Sequence, residues 1–504
     1  MQINTITGDI ADQAVDAIII NLFENTDSPG GATAAIDQRL NGAISALLVG
    51  GDFKGKLRET SVLYPGDRMP ARRIIVVGLG PEEDFTIDRV RHATAAAAVR
   101  ARDLGACSVA SILHGAGAGG IETCAAARAA AEGARLGLYT FEKYKSEPGR
   151  QKVTSFTLVE WKEQNADALR AGAREGEIIA NCTCQARDLV SEPPNSCTPS
   201  FLAAHAEKIA SDHGMTARVL SEAKVRELKM GAFLSVGQGS AQQPEFIVLE
   251  HNSELLKDTA PLVLIGKAIT FDTGGYSIKS GEGMADMKTD MAGGAAVLGA
   301  LQAAALLRVP YPVVGLVPAT ENMISGQSSR PSDVVRASNG KTIEILNTDA
   351  EGRLILADAL VYAAGYKPAA VIDLATLTGA AIIALGEGGA AALFTDDEPL
   401  AQRLSLASQS SGERIWRMPL FPEYAEWVRG SDVADLRNIP GNRYAGAGTS
   451  AAFLQEFTEG SRWAHLDIAP MASLPTSKVV HPLGPAGATG FGVRLLAHMM
   501  LDGD

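Results

Sequence analysis

Apolar positions along the chain fall into short β-branched runs separated by longer Ala-rich stretches, the pattern of strands alternating with helices. In the first third, residues 14–20, 73–77 and 108–113 read as buried strands, while 89–102 and 121–138 read as helices. Further on, 246–249, 262–265, 313–317, 370–374 and 391–394 read as strands with Ala-rich helices between several of them. Alternation of this kind implies a doubly wound sheet, whose ligands sit beyond the carboxyl ends of its strands. Between the halves, 172–188 reads as a charged, Ala-containing helix stopped by Pro193 and Pro194. The fold class expected is α/β in two domains: an N-terminal α/β domain over 1–165, a linker helix over 166–194, and a second α/β domain over 195–504. The longest weakly polar stretch, 291–307, is dense in Gly and Ala and contains Gln302. It is too short to span a bilayer comfortably and is expected to be a closely packed buried helix.

A length of 504 residues, 46% hydrophobic and 20% charged, fits two or three globular domains. The net charge of -13, from 45 basic and 58 acidic residues, argues against nucleic acid as the main partner. Five cysteines without a C-x-x-C pair indicate neither a disulfide framework nor a thiolate zinc site. The N-terminus lacks a basic segment followed by an apolar core, so a cytoplasmic protein with no membrane partner is expected. Two glycine patterns invite a phosphate-loop reading. Gly50, Gly55 and Lys56 are followed by Leu57 where a magnesium-holding Ser or Thr would stand, and the match is discarded. Gly115, Gly117 and Gly120 follow a strand and open a helix, but no acidic residue ends a following strand at ribose distance; a tight strand-to-helix turn is expected.

The chemistry concentrates elsewhere. In the run from Asn347 to Leu354, Asp349, Glu351 and Arg353 occupy alternate positions, which share one side on an extended chain. Gly352 permits a close backbone approach. A surface turn with a local ion pair is the ordinary fate of such a cluster. Here Ile345, Leu346, Leu354, Ile355 and Leu356 flank it, so the acids border buried elements, where unpaired carboxylates are costly. A second group, Lys267, Asp272, Lys279 and Asp290, follows the strand at 262–265 in a glycine-bearing segment; Asp286 beside it reads as a surface acid. Four carboxylates cannot all stay ionised together unless cations separate them. Oxygen-rich sites suit magnesium or manganese, zinc also accepts carboxylate, and bridging carboxylates suit a metal pair about 3.5–4 Å apart. Neither H-E-x-x-H nor G-x-S-x-G spacing occurs.

With these residues in view, the sequence resembles the leucyl aminopeptidase (cytosol aminopeptidase) family of dinuclear metallopeptidases. The complete run from Asn347 to Leu354 carries the resemblance. It is joined by Asp188-Leu189-Val190, Glu192-Pro193-Pro194-Asn195, Phe271-Asp272 with Gly274-Gly275, and Asp373 to Ala380. Ser411 to Arg414, His465 to Ala469 and Gly487 to Gly492 add to it.

The resemblance implies a catalytic α/β/α domain with a mostly parallel mixed sheet, and a hydrolase assembled as a hexamer that removes N-terminal, leucine-like and other apolar residues from peptides with a free N-terminus. It implies two divalent ions per subunit, Mn2+ or Zn2+, bridged by Asp272 and Glu351. Asp349 would complete the more exchangeable position, and Lys267 with Asp290 the tighter one. Lys279 would polarise the scissile carbonyl, Arg353 would anchor a bicarbonate-like anion that relays a proton, and a metal-bridging water would attack. Met287, Thr376, Leu377, Gly379 and Ala488 take first-pocket positions. Ala268, Tyr276, Pro470 and Gly448-Thr449-Ser450 depart from the family pattern without removing a ligand. From the residues alone, a dinuclear phosphoesterase or a nucleic-acid-binding regulatory protein remains an alternative.

Overall fold

A computed structural model describes the chain except residues 118, 148, 150–151, 475–481 and 502–504. Two compact units emerge: Met1–Cys184 with Val480–Pro485, and Gln185–Val479 with Ala486–Asp504. The helix expected over 172–188 runs over Ala166–Ser191, and the division falls inside it.

In the first unit a six-stranded sheet is ordered Gln2–Thr7, Ser155–Glu160, Ser108–Ile112, Ala17–Leu22, Ile74–Gly78, Thr60–Leu63, parallel except for the last strand. The β-branched runs of the two strands Ala17–Leu22 and Ile74–Gly78 are buried on both faces, as parallel strands covered by helices must be. The glycine loop after Ser108–Ile112 is a packed turn. Gly115 has φ 82° and lies so close to Phe85 that a Cβ there would stand 2.5 Å from the ring, and Phe85 itself meets Phe23 edge-on.

The second unit is built on a nine-stranded sheet. Its centre is four parallel strands, in the order Trp463–Asp467, Ala370–Ala375, Leu262–Gly266 and Val313–Asn322, with Ala268–Asp272 also parallel to the last. Antiparallel strands flank both sides: Ala391–Phe394 against Trp463–Asp467, and Glu245–His251 against Val313–Asn322. The sheet is therefore mixed and mostly parallel. The strand expected over 313–317 continues to Asn322, past Pro318, which lacks an amide donor yet sits within the pairing.

The helix Ala292–Leu307 is buried along most of its length. In the wider stretch Gly281–Leu307, long and apolar enough to cross a membrane, 83% of the most apolar window is buried inside the protein, as in a core helix. Its start touches the sheet backbone to backbone. A Cβ at Gly266 would stand 2.4 Å from the Gly293 carbonyl oxygen, and one at Gly293 would stand 2.1 Å from that of Leu374. Only glycine allows this approach.

Candidate active site

Each charged side chain of the site is delivered by the end of a strand or the start of a helix. Lys267 follows the strand Leu262–Gly266, Asp272 ends Ala268–Asp272, and Asp290 lies in the 3₁₀ turn Ala285–Met291 that feeds the buried helix. Asp349 and Glu351 immediately precede the helix Gly352–Ala364. Thr376 follows the strand Ala370–Ala375. The parallel strands thus present the cluster at their carboxyl edge.

Lys267 stands at the centre. Its buried Nζ lies 2.8 Å from Asp290 Oδ1 and 2.8 Å from Glu351 Oε1, and donates to the Thr376 carbonyl at 2.9 Å. Lys279 Nζ bridges Asp272 Oδ2 at 2.8 Å and Asp349 Oδ1 at 2.5 Å. Thr376 Oγ1 donates to Asp290 Oδ1 at 2.7 Å. Oxygens of Asp272, Asp290 and Glu351, all buried, fall within 4.8 Å of one another. Asp290 Oδ2, also buried, has no hydrogen-bond partner among the described residues.

The loop glycines are required by this geometry. Gly274 and Gly275 have φ 85° and 61°, and a Cβ on Gly274 would stand 2.8 Å from Asp349 Oδ1.

Burial pushes the carboxyl of Asp290 well above the usual carboxylate range; the neighbouring charges of Glu351 and Asp272 add to this, and Lys267 only partly offsets it. Asp272 and Asp349 are raised for the same first reason. Burial acts to lower Lys267 and Lys279, yet the surrounding carboxylates outweigh it and both stay above the ordinary lysine value. Four carboxylates against two ammonium groups leave the fully ionised cluster two negative charges in excess, so it must hold extra protons or bind cations. An oxygen donor set with a free buried carboxylate oxygen fits a divalent metal.

The sequence reading placed Asp349, Glu351 and Arg353 on one side of an extended chain, and the structure corrects this. Glu351 has helical backbone angles, φ -79° and ψ -35°, and Arg353 lies within the helix that follows. Asp349 and Glu351 still converge on the lysines. Arg353 turns aside: its Nη1 donates to the Asn438 carbonyl at 2.6 Å, while the buried Nε has no hydrogen-bond partner among the described residues. Burial lowers this guanidinium to about 10, against the opposing charges of Glu351 and Asp467.

Of the pocket candidates, Thr376 joins the cluster directly, and Leu377 and Gly379 follow it into the helix Gly379–Leu385. Met287 lies half-buried in the same turn as Asp290, and Ala488 pairs with Ser473 in a two-stranded antiparallel sheet. Asp286 is exposed, as expected.

Three supporting residues escaped the sequence reading. Asn322 Nδ2 donates to Asp272 Oδ1 at 2.8 Å and to the Thr348 carbonyl at 3.0 Å. Thr348 Oγ1 donates to the Gly274 carbonyl at 2.6 Å and accepts from Ser277 N. Asn438 Oδ1 accepts from Leu346 N at 2.8 Å, and its Nδ2 donates to the Asn347 carbonyl at 2.6 Å. Asn322 ends a strand beside Asp272, which is the one signal that could have flagged it; Asn438 carried none.

A doubly wound fold with a buried carboxylate centre at its strand ends is the setting of a metal-dependent enzyme. Two family models match: the catalytic domain of the cytosol aminopeptidase family over residues 184–497, and its N-terminal domain over 19–148. A cytosol aminopeptidase of Pseudomonas aeruginosa is 42% identical over 475 residues, covering 94% of each chain. Among solved structures, a tomato leucine aminopeptidase variant superposes with TM-score 0.88 at 35% identity, over 100% of this chain and 97% of that one. The bottromycin maturation enzyme BotP in complex with Mn gives TM-score 0.84 at 34% identity, over 97% and 99%. The chain belongs to the cytosol aminopeptidase family and is a metal-dependent aminopeptidase. Membership sets aside the phosphoesterase and nucleic-acid readings.

Proposed function

We propose that the enzyme releases leucine-like and other apolar residues from peptides with a free N-terminus, using two divalent ions per chain, Mn2+ or Zn2+. The observation that carries this is the Lys267-centred cluster: ligand oxygens of three buried carboxylates within 4.8 Å of one another, one carboxylate having an oxygen unpartnered among the described residues. Asp272 and Glu351 would hold both ions, Asp349 would add to the more exchangeable position, and Asp290 with Lys267 to the tighter one, Lys267 only as the neutral amine once metal displaces its proton. Bound metal supplies Lewis acidity and a water made nucleophilic near neutral pH.

The chain's own groups do the rest. Lys279, whose side chain is 21% exposed against 3% for Lys267, donates to the oxyanion that develops on the scissile carbonyl. Asp290 stands where the substrate's α-amine is held, which restricts cleavage to the first residue. Arg353, buried and with Nε unpartnered among the described residues, would hold a bicarbonate-like anion able to relay a proton to the leaving amine. Met287, Thr376, Leu377, Gly379 and Ala488 line the pocket for the first side chain. The division we propose is an N-terminal domain over 1–165, a linker helix over 166–194 and the catalytic domain over 195–504. A cytoplasmic hexamer is the assembly proposed, and sedimentation of the purified protein tests it.

The functional test is hydrolysis of aminoacyl anilides by metal-free protein. No turnover is expected with chelator present, recovery is expected with Mn2+ or Zn2+, and N-acetylated substrates should stay intact. Metal-loaded protein that cleaves no unblocked aminoacyl substrate would refute the reading.

A further inference from the structure

The strand Trp463–Asp467 carries three buried polar side chains, Trp463, His465 and Asp467, at alternate positions. Alternation along a strand puts all three on one face. The first two are absorbed by Asp373 on the neighbouring strand: His465 Nδ1 meets Asp373 Oδ1 at 2.5 Å, and Trp463 Nε1 donates to Asp373 Oδ2 at 2.7 Å. Asp467 sits opposite Ala375, where the neighbouring strand ends. It faces the turn that follows.

Its contacts there are saturated. Asp467 Oδ1 accepts from Leu377 N at 3.1 Å, Thr378 N at 3.4 Å and Ala469 N at 3.2 Å, and Oδ2 accepts from Thr378 Oγ1 at 2.6 Å. Thr378 Oγ1 in turn caps the helix Gly379–Leu385 by accepting from Ala381 N at 3.1 Å. Two residues earlier, Thr376 turns its carbonyl and its hydroxyl to the site. Its carbonyl accepts from Lys267 Nζ and its hydroxyl donates to Asp290 Oδ1.

We propose that Asp467 is a positioning residue for one of the two metal positions: it fixes the turn from Thr376 to Thr378, and that turn aims Lys267 and Asp290. The inference rests on the assignment of Lys267 and Asp290 to the tighter position. Asp272 and Asp349 receive no hydrogen bond from this turn; Asn322, Gly274 and Lys279 support them instead. Loosening the turn should therefore be felt at one metal and not at the other. A stitch that merely stabilised the strand ends would lower the melting temperature and leave both affinities alone.

The test is calorimetric titration of metal-free full-length protein with Mn2+, for wild type, Asp467→Ala, Thr378→Val and Thr378→Ser, with circular dichroism as a check of folding. Wild type is expected to bind two Mn2+ per chain with unequal affinities. Asp467→Ala and Thr378→Val should weaken the tighter affinity tenfold or more, the usual scale for losing a partner behind a ligand. The weaker affinity should be unchanged, and Thr378→Ser, which keeps the hydroxyl, should match wild type. If Asp467→Ala fails to fold, Thr378→Val decides. Both affinities retained, or both weakened alike, overturns the inference and leaves the metal assignment standing. Wild type that binds no Mn2+ overturns the assignment and the inference with it.

Discussion

Gly352 lies directly against the amine of Lys267: a Cβ on Gly352 would stand 2.7 Å from Lys267 Cε and 2.8 Å from Nζ. Gly352 is also the first residue of the helix Gly352–Ala364, where alanine suits the backbone better than glycine. The helix preference for alanine is outweighed here, because a displaced Lys267 leaves its buried ion pairs to Asp290 and Glu351. Gly352→Ala is expected to melt below the wild-type temperature and its kcat/KM to fall about a hundredfold, since small misplacements in the site cost about that much. Thermal melts and anilide kinetics on the same preparation check it; wild-type kinetics would show that Lys267 tolerates displacement.

Lys279→Ala tests the oxyanion role. The variant loses the ion pairs to Asp272 and Asp349 and the packing of its largely buried stem, so circular dichroism of the metal-loaded variant checks its fold first. Turnover should drop about a hundredfold or more with KM changed far less, because the lost interaction belongs to the transition state. A variant with full kcat removes Lys279 from the mechanism.

Asn438→Ala tests the brace behind the acidic run. The buried amide holds Leu346 N, Asn347 N and the Asn347 carbonyl, and each group left without a partner costs about 1–3 kcal/mol. A lower urea midpoint and reduced turnover are expected together: alanine keeps the main-chain carbonyl that accepts from Arg353 Nη1, but the loosened run from Leu346 to Ala350 carries Asp349 and leads into Glu351. An unchanged midpoint would mean that water replaces the amide.

Asp358 gives a pH dependence remote from the metal centre. Burial raises its carboxyl from 3.8 to about 6, against the opposing hydrogen bonds from Phe233 N and Ser338 N. Between those values the folded state binds more protons than the unfolded chain, so stability falls as pH rises from about 4 to 6. At about 1.4 kcal/mol per pH unit the loss is about 3 kcal/mol. Asp358→Asn is destabilised at every pH, because one of the two amides loses its acceptor, but it lacks this slope. Urea titrations of both proteins with chelator present should show their stability difference shrinking from pH 4 to 7; a constant difference would contradict it.

Much of the site is legible from residue order because strand ends and helix starts announce themselves. Lys267 and Asp272 border β-branched runs, and Asp349 and Glu351 precede an apolar helix. The helical backbone of Glu351 was not legible: a glutamate at the helix start makes no side-chain cap, so the usual Ser, Thr or Asp signal is missing and the alternation passed for a strand. The supporting roles of Asn322, Asn438 and Asp467 were hidden for another reason, although Asp467 stands in one of the family segments. Their partners are brought near only when separate strands close side by side, and an isolated Asn or Asp reads as a turn residue. In the first unit the glycine loop was legible as a turn, though the ring of Phe85 packed on it was not.

The spacing between Lys267 and Asp290 is gauged by main chain. Gly266 and Gly293 touch through backbone atoms, and Gly294 N donates to the Lys267 carbonyl at 2.7 Å. No side chain lies between the two elements at that point, so drift in the apolar residues behind them has no spacer to lengthen or shorten. The core of the catalytic unit is free to change composition while its metal centre keeps one fixed bore.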